Sequence, residues 1–196
     1  MKLVIIKYNA GNIQSVAFAL ERLRIDFVIS DQAEEINSAD KVIFPGVGEA
    51  STTMQYLLEK KLDRVIKNLK QPTLGICLGM QLMCKHSEEN DTTCLGIFDE
   101  PVKKFIPQGD RKVPHMGWNT LSLRDTWLNP ALENQYAYFV HSYYVPVNDS
   151  TAAITNYINP FSAAMHKDNF YAVQFHPEKS ATAGEQVLKS FLDLKH

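Results

Sequence analysis

Gly75-Ile76-Cys77-Leu78-Gly79 follows a short apolar run and has the form of a nucleophile elbow, with cysteine in the place where serine is more familiar. A nucleophile at the tip of a strand-to-helix turn is held in a strained backbone conformation, and glycines two residues either side remove the side chains that would collide there. The free N–H groups and positive end of a following helix favour an anion, so the pattern predicts a depressed pKa and a thiolate at Cys77. The N–H of Leu78 becomes an oxyanion donor in the same geometry. A tight, buried turn around an apolar cysteine would show the same five residues, so the pentapeptide alone leaves catalysis and packing both open.

A thiolate needs a proton shuttle, and Ala172-Val173-Gln174-Phe175-His176-Pro177-Glu178 offers one. The alternating run reads as a strand, and Pro177 holds His176 extended, so His176 and Glu178 can project to the same side. Cys77 would attack, His176 would shuttle protons, and Glu178 would fix the imidazole tautomer and stabilise the imidazolium. A surface His-Pro-Glu turn is the alternative reading. A third piece, Lys41-Val42-Ile43-Phe44-Pro45-Gly46-Val47-Gly48, is an apolar strand ending in a glycine loop. Acyl transfer needs a second oxyanion donor besides Leu78, and the backbone of Gly46, Val47 or Gly48 is placed to give it; by itself Pro-Gly-Val-Gly is also simply a turn.

These pieces, in the order P-G-V-G, G-I-C-L-G-M-Q and F-H-P-E, resemble the triad-type, class I glutamine amidotransferases over nearly the whole chain. The resemblance implies an α/β fold with a central, mostly parallel sheet, flanking helices and antiparallel additions. It also implies hydrolysis of the glutamine side-chain amide through a glutamyl thioester, with no cofactor and no metal. Gln81, one helical turn past Cys77, and Glu89 then become substrate-binding residues together with Gly46 and Gly48, Glu89 facing the substrate's amino group.

Within that family, Pro114-His115-Met116-Gly117-Trp118-Asn119 and Tyr138-Phe139-Val140-His141-Ser142-Tyr143 are similar to the glutaminase subunits of imidazole glycerol phosphate synthases. That likeness implies a heterodimer with a (β/α)₈ cyclase subunit, which uses the ammonia in histidine biosynthesis. Ser142 and Tyr143 match a strand lining the glutamine pocket, and Asn12, Trp118, Tyr138 and Lys179 match the face toward the cyclase and the ammonia path. Related sequences commonly read D-Y-G where this chain has Lys7-Tyr8-Asn9, in the loop that runs on through Gly11 toward the partner face. His115 and His141 belong to the matching motifs without an assigned role.

The elements that must position these residues follow from punctuation and period. Residues 2–7 read as a strand, and Ile13, Val16, Ala17, Leu20 and Leu23 recur at helical spacing. Phe27-Val28-Ile29 and Val42-Ile43-Phe44 continue a strand-helix alternation, a helical stretch covers 54–69, and the elbow falls at a sheet's carboxyl edge, where ligands bind. From 103 to 174 strand-like segments dominate, including 136–145 and 170–174, and 184–194 reads as a closing helix.

A length of 196 residues fits one domain, residues 1–196. A net charge of −2 with no basic run gives no footprint for nucleic acid or an anionic membrane, so small metabolites are the expected partners, and the resemblance implies glutamine and the cyclase subunit. Met1-Lys2-Leu3-Val4-Ile5-Ile6 is too short for a signal core, which points to the cytoplasm. Cys77, Cys84 and Cys94 make no disulfide framework; Cys84 is expected two helical turns past Cys77 as a packed apolar residue, and Cys94 has no catalytic companion. His86 reads as a polar helix end, His166 as a turn and His196 as terminal, none suggesting a ligand. The competing readings are the glutaminase of another synthase, such as anthranilate or aminodeoxychorismate synthase, an unrelated cysteine hydrolase, and a binding domain keeping the elbow as scaffold.

Overall fold

The computed structural model describes residues 1–9, 12–124 and 126–194. Gly11 of the first loop and the terminal His196 lie outside the described residues. The first half alternates strand and helix: β1 (Leu3–Ile6), α1 (Ile13–Arg22), β2 (Phe27–Ser30), α2 (Ala33–Asn37), β3 (Lys41–Gly46), α3 (Ala50–Glu59), α4 (Leu62–Lys67), β4 (Thr73–Cys77) and α5 (Leu78–Met83). Strands β1, β3 and β4 are buried along their whole length, as strands covered by helices on both faces must be. The period of two then sorts the side chains. Leu3, Ile5 and Ile43 pack on one side with Val16 and Leu20 of α1, while Val4, Ile6, Val42 and Phe44 pack on the other with Leu57 of α3 and Ile66 of α4.

The second half adds short strands β5 (His86–Ser87), β6 (Thr92–Thr93), β7 (Pro101–Lys104), β8 (His115–Thr120), β9 (Ser122–Leu123), β10 (Tyr136–His141) and β11 (Tyr143–Tyr144). They are followed by β12 (Thr151–Asn156), β13 (Pro160–Lys167), β14 (Phe170–Val173) and the closing helix α6 (Ala181–Leu192). The main sheet runs β2-β1-β3-β4-β14-β13-β12-β9. Its first five strands are parallel and the rest antiparallel, the mixed arrangement expected from the sequence. Strands β8 and β10 form a separate antiparallel ribbon, and β11-β7-β5-β6 a small third sheet. Among the described residues no helix is long and apolar enough to cross a membrane.

Several local expectations are corrected. The helical stretch over 54–69 is two helices, broken where Lys61 takes a left-handed φ of 58°. The 136–145 strand is interrupted at Ser142. Helix α5 ends at Met83 and Cys84 is extended, so Cys84 lies off the helix, although it is buried and burial pushes its thiol well up. His86 sits in β5, not at a helix end, with Nε2 2.8 Å from Asp91 Oδ1. His166 lies in β13, its ring stacked on Tyr171. Helix α6 begins at Ala181, three residues before the expected start, because Ser180 turns the chain there and its Oγ donates to the His176 carbonyl at 2.7 Å.

Candidate active site

Parallel strands β3, β4 and β14 end side by side, and each delivers one part of the site. At the tip of β4, Cys77 has φ 53° and ψ −108°, a backbone conformation that costs a non-glycine residue energy and is kept where the surroundings over-determine it. The surroundings here are two close approaches. A Cβ on Gly79 would sit 2.0 Å from the Phe44 carbonyl oxygen of β3, and one on Gly75 would sit 2.8 Å from Met83 Sδ. The flanking glycines therefore let α5 press against the sheet, which fixes the strained turn.

Past β14 the chain stays extended through His176 (φ −100°, ψ 97°), and Pro177 opens a 3₁₀ turn over Pro177–Lys179. His176 Nδ1 lies 2.8 Å from Glu178 Oε1, and both side chains are 1% exposed, which rules out a surface turn. The backbone is tied down on its other side, where the His176 N–H donates to the Tyr138 carbonyl at 2.9 Å. His176 Nε2 is buried without a hydrogen-bond partner. Burial alone would lower the His176 pKa, but the charge of Cys77 and the hydrogen-bonded Glu178 carboxylate raise it to about 10. A pKa raised that far favours the protonated ring at neutral pH.

A cavity of about 330 Å³ opens in front of these groups. Its walls include Val47, Gly48, Cys77, Leu78, Gln81, Glu89, Ser142, Tyr143 and His176, so the sequence-derived residues from five separate segments converge on one space. Gly46 stands just behind, paired with Cys77 across β3 and β4. A Cβ there would meet the Tyr8 hydroxyl at 2.6 Å and Leu78 Cβ at 2.9 Å. The Tyr8 hydroxyl donates to the Pro45 carbonyl and pins the start of the glycine loop, whereas Gly48, at φ 121°, has open space around it. Glu89 Oε2 accepts the Ala50 N–H at the start of α3 at 2.7 Å; burial raises its pKa against that hydrogen bond.

Asn12, expected at the face toward the cyclase and the ammonia path, is 5% exposed. Its Nδ2 donates to Glu178 Oε1 at 2.6 Å and lies 3.3 Å from His176 Nδ1. A buried amide must find internal partners, and the Glu178 carboxylate is a strong acceptor for it. Trp118, Tyr138 and Lys179 stay outside the cavity. Trp118 is 52% exposed and meets half-buried Tyr138 edge-to-face at 5.8 Å on the outer face of the β8–β10 ribbon; Lys179 is exposed beside Glu178.

Sequence reasoning gave no role to Gln174, whose Nε2 lies 3.7 Å from Cys77 Sγ and whose Oε1 accepts from Gln81 Nε2 at 3.0 Å. The signal was present, since Gln174 sits two residues before His176 on an extended run and so shares its face. Pro114, Val140 and His141 also line the cavity.

Burial lowers His141 from 6.5 to about 3 and His115 to about 4. The unfolded chain binds protons that these rings reject when folded, so their stabilising contribution is full above pH 6.5 and is lost as pH falls toward 4 and 3. His176, with its raised pKa, is protonated in both states well below 6.5 and adds little slope there. The melting temperature is expected to drop between pH 7 and pH 4, and less steeply in His115→Phe; equal slopes would contradict a buried neutral pair.

A family model described as glutamine amidotransferase class-I matches residues 4–194. The chain is 61% identical over 196 residues to imidazole glycerol phosphate synthase subunit HisH of Bacteroides fragilis, covering 99% of this chain and 100% of that one. It is 46% identical over 203 residues to the subunit of the same description from Vibrio parahaemolyticus, covering 98% of each. A solved structure described as a glutamine amidotransferase matches with a TM-score of 0.71 over 97% of both chains at 18% identity, a likeness of fold. The chain belongs to the class-I glutamine amidotransferase family, among the HisH-type sequences.

Proposed function

We propose that the chain hydrolyses glutamine through a Cys77 thioester and supplies the ammonia to a (β/α)₈ cyclase subunit. That partner forms imidazole glycerol phosphate and an aminoimidazole carboxamide ribotide in histidine biosynthesis. Residues 1–196 act as one domain in this reading, in the cytoplasm with the pathway they serve. The observation that carries it is Cys77, on a strained strand end, sharing a cavity with a His176 ring held by buried Glu178. The full-length likeness to imidazole glycerol phosphate synthase subunits supports the acceptor side.

In the cycle, Cys77 Sγ attacks the amide carbon, and the resulting oxyanion is held by N–H groups of Leu78 and the Val47-Gly48 loop. His176 gives its proton to the departing nitrogen, and ammonia leaves. The thioester carries no charge at sulfur, which removes a main cause of the raised His176 pKa, so the ring becomes a base able to take a proton from water. Water then releases glutamate and restores the thiolate. Glu89 receives the substrate's amino group, and the backbone of Ser142 and Tyr143 borders its main chain. Both hydrogens of Gln81 Nε2 are committed to Tyr143 O and Gln174, each at 3.0 Å, so Gln81 meets substrate through Oε1 as an acceptor.

Trp118, Tyr138 and Lys179 form the cyclase-facing surface, and Asn12 supports the triad. Asn12→Ala is expected to lower kcat about tenfold with KM little changed, since it removes a hydrogen bond to a charged group behind the reacting atoms. An unchanged kcat would contradict that role. The glycine loop, pinned by Tyr8 and unpacked at Gly48, rearranges when the partner holds its substrate. The test is glutamate release by the chain alone and with a cyclase subunit and its ribotide substrate. Release that rises sharply with the cyclase and disappears in Cys77→Ala is expected. Equal release with and without it would keep the glutaminase and discard partner control.

A further inference from the structure

Two buried histidines have no part in this cycle. His115 and His141 face each other across the β8–β10 ribbon, on the side opposite Trp118, and are 3% and 6% exposed. Aromatic rings enclose them: His115 stacks between Phe139 and Tyr157, and Phe161 meets both imidazoles edge-on. Such a setting holds rings uncharged, and each hydrogen bond then dictates a tautomer.

His141 Nδ1 lies 2.7 Å from the Tyr143 carbonyl, which can only accept, so Nδ1 carries the hydrogen and Nε2 is an acceptor. His115 Nδ1, 3.0 Å from that Nε2, must therefore donate. His115 Nε2 is left as an acceptor for Asn119 Nδ2 at 3.3 Å, and that amide also donates to the Asn156 carbonyl at 2.9 Å. From the other side Gln81 Nε2 donates to the same Tyr143 carbonyl, and its second hydrogen goes to Gln174, whose amide donates to Cys77 Sγ. Donors converge on the Tyr143 oxygen from both directions. The chain of groups is a brace that carries no proton from end to end.

We propose that His115 and His141 are positioning residues for the Cys77 chemistry, fixing the Tyr143 carbonyl and, through it, the Gln81–Gln174 amide pair that donates to the nucleophile. The proposal rests on the glutaminase reading of Cys77. Burial of both rings, which lowers their pKa to about 4 and 3, agrees with the assigned tautomers across the neutral range.

The test compares His141→Asn with His141→Leu in the complex with the cyclase. The Asn amide nitrogen takes the place of Nδ1 and keeps the donor to Tyr143, whereas Leu fills the space without it. An amide buried among aromatic rings is no more stable than leucine there, so a purely structural role predicts that activity follows melting temperature. The brace predicts kcat for Asn within about threefold of the parent and for Leu at least about tenfold lower, with KM little changed, whatever the order of melting temperatures. The alkylation rate of Cys77 by iodoacetamide should follow the same order and needs no assumption about the substrate. A double-mutant cycle adds His115→Phe to Gln174→Met; losses that merge rather than multiply are expected for members of one network. Equal kcat and equal alkylation in Asn and Leu, activity that tracks melting temperature, or multiplying losses would overturn the proposal. An inactive parent whose alkylation still follows the brace would overturn the glutaminase reading and leave the brace standing.

Discussion

Cys77→Ala is expected to abolish glutamate release, by at least about 10³-fold, while the melting temperature stays within a few degrees of the parent. No other described side chain in the cavity offers a sulfur or hydroxyl nucleophile on a strained turn beside the His176 imidazole. The fold should tolerate the change because alanine can occupy the space, and the His176–Glu178 contact at 2.8 Å does not depend on the sulfur. A second readout separates loss of the nucleophile from general damage. The charge of Cys77 is a principal cause of the raised His176 pKa, so in Cys77→Ala the ring should titrate well below about 10, with burial acting against the Glu178 carboxylate. An NMR titration measures this directly. A ring that still titrates near 10 in the alanine chain would contradict the part assigned to Cys77 in that shift.

Gly184→Ala is expected to cost about 3 kcal/mol of stability, at the upper end for overpacking, and to lower kcat by about 10²-fold. Gly184 lies in the first turn of α6, directly over the turn that carries Glu178 and follows His176. A Cβ there would sit 1.8 Å from the Pro177 carbonyl oxygen and 2.7 Å from its carbon. Backbone cannot yield as a flexible side chain does, so α6 or the His176–Glu178 turn must move. Either movement alters the 2.8 Å contact between His176 and Glu178. Urea unfolding and steady-state kinetics on one preparation check both parts. Parent-like stability with parent-like kcat would show that the helix does not hold the turn in place.

How much of this was legible in the sequence depends on the distance over which each feature is decided. The elbow and the His-Pro-Glu turn were legible because strained turn, glycine spacing and same-side projection are local geometry. The continuous apolar run Leu3, Val4, Ile5 and Ile6 marked a strand in the same way. The split between α3 and α4 was not visible, because a lysine at φ 58° has no compositional mark. The Asn12–Glu178 contact was not visible because the two residues are 166 positions apart, and the parallel order β1-β3-β4-β14 brings them together. The His115–His141 contact, too, depends on the register of β8 against β10, which neither motif encodes. Gln174 is the opposite case, a residue that alternation alone would have found.

The central claim is a covalent glutamyl intermediate on Cys77, and trapping it tests that claim most directly. The chain, in complex with the cyclase and its ribotide substrate, would be mixed with glutamine, quenched in acid within the first turnover, digested and analysed by mass spectrometry. A glutamyl adduct is expected on the peptide containing Cys77, and none in Cys77→Ala. Turnover with an unmodified Cys77, or an adduct on Cys84 or Cys94 instead, would contradict it.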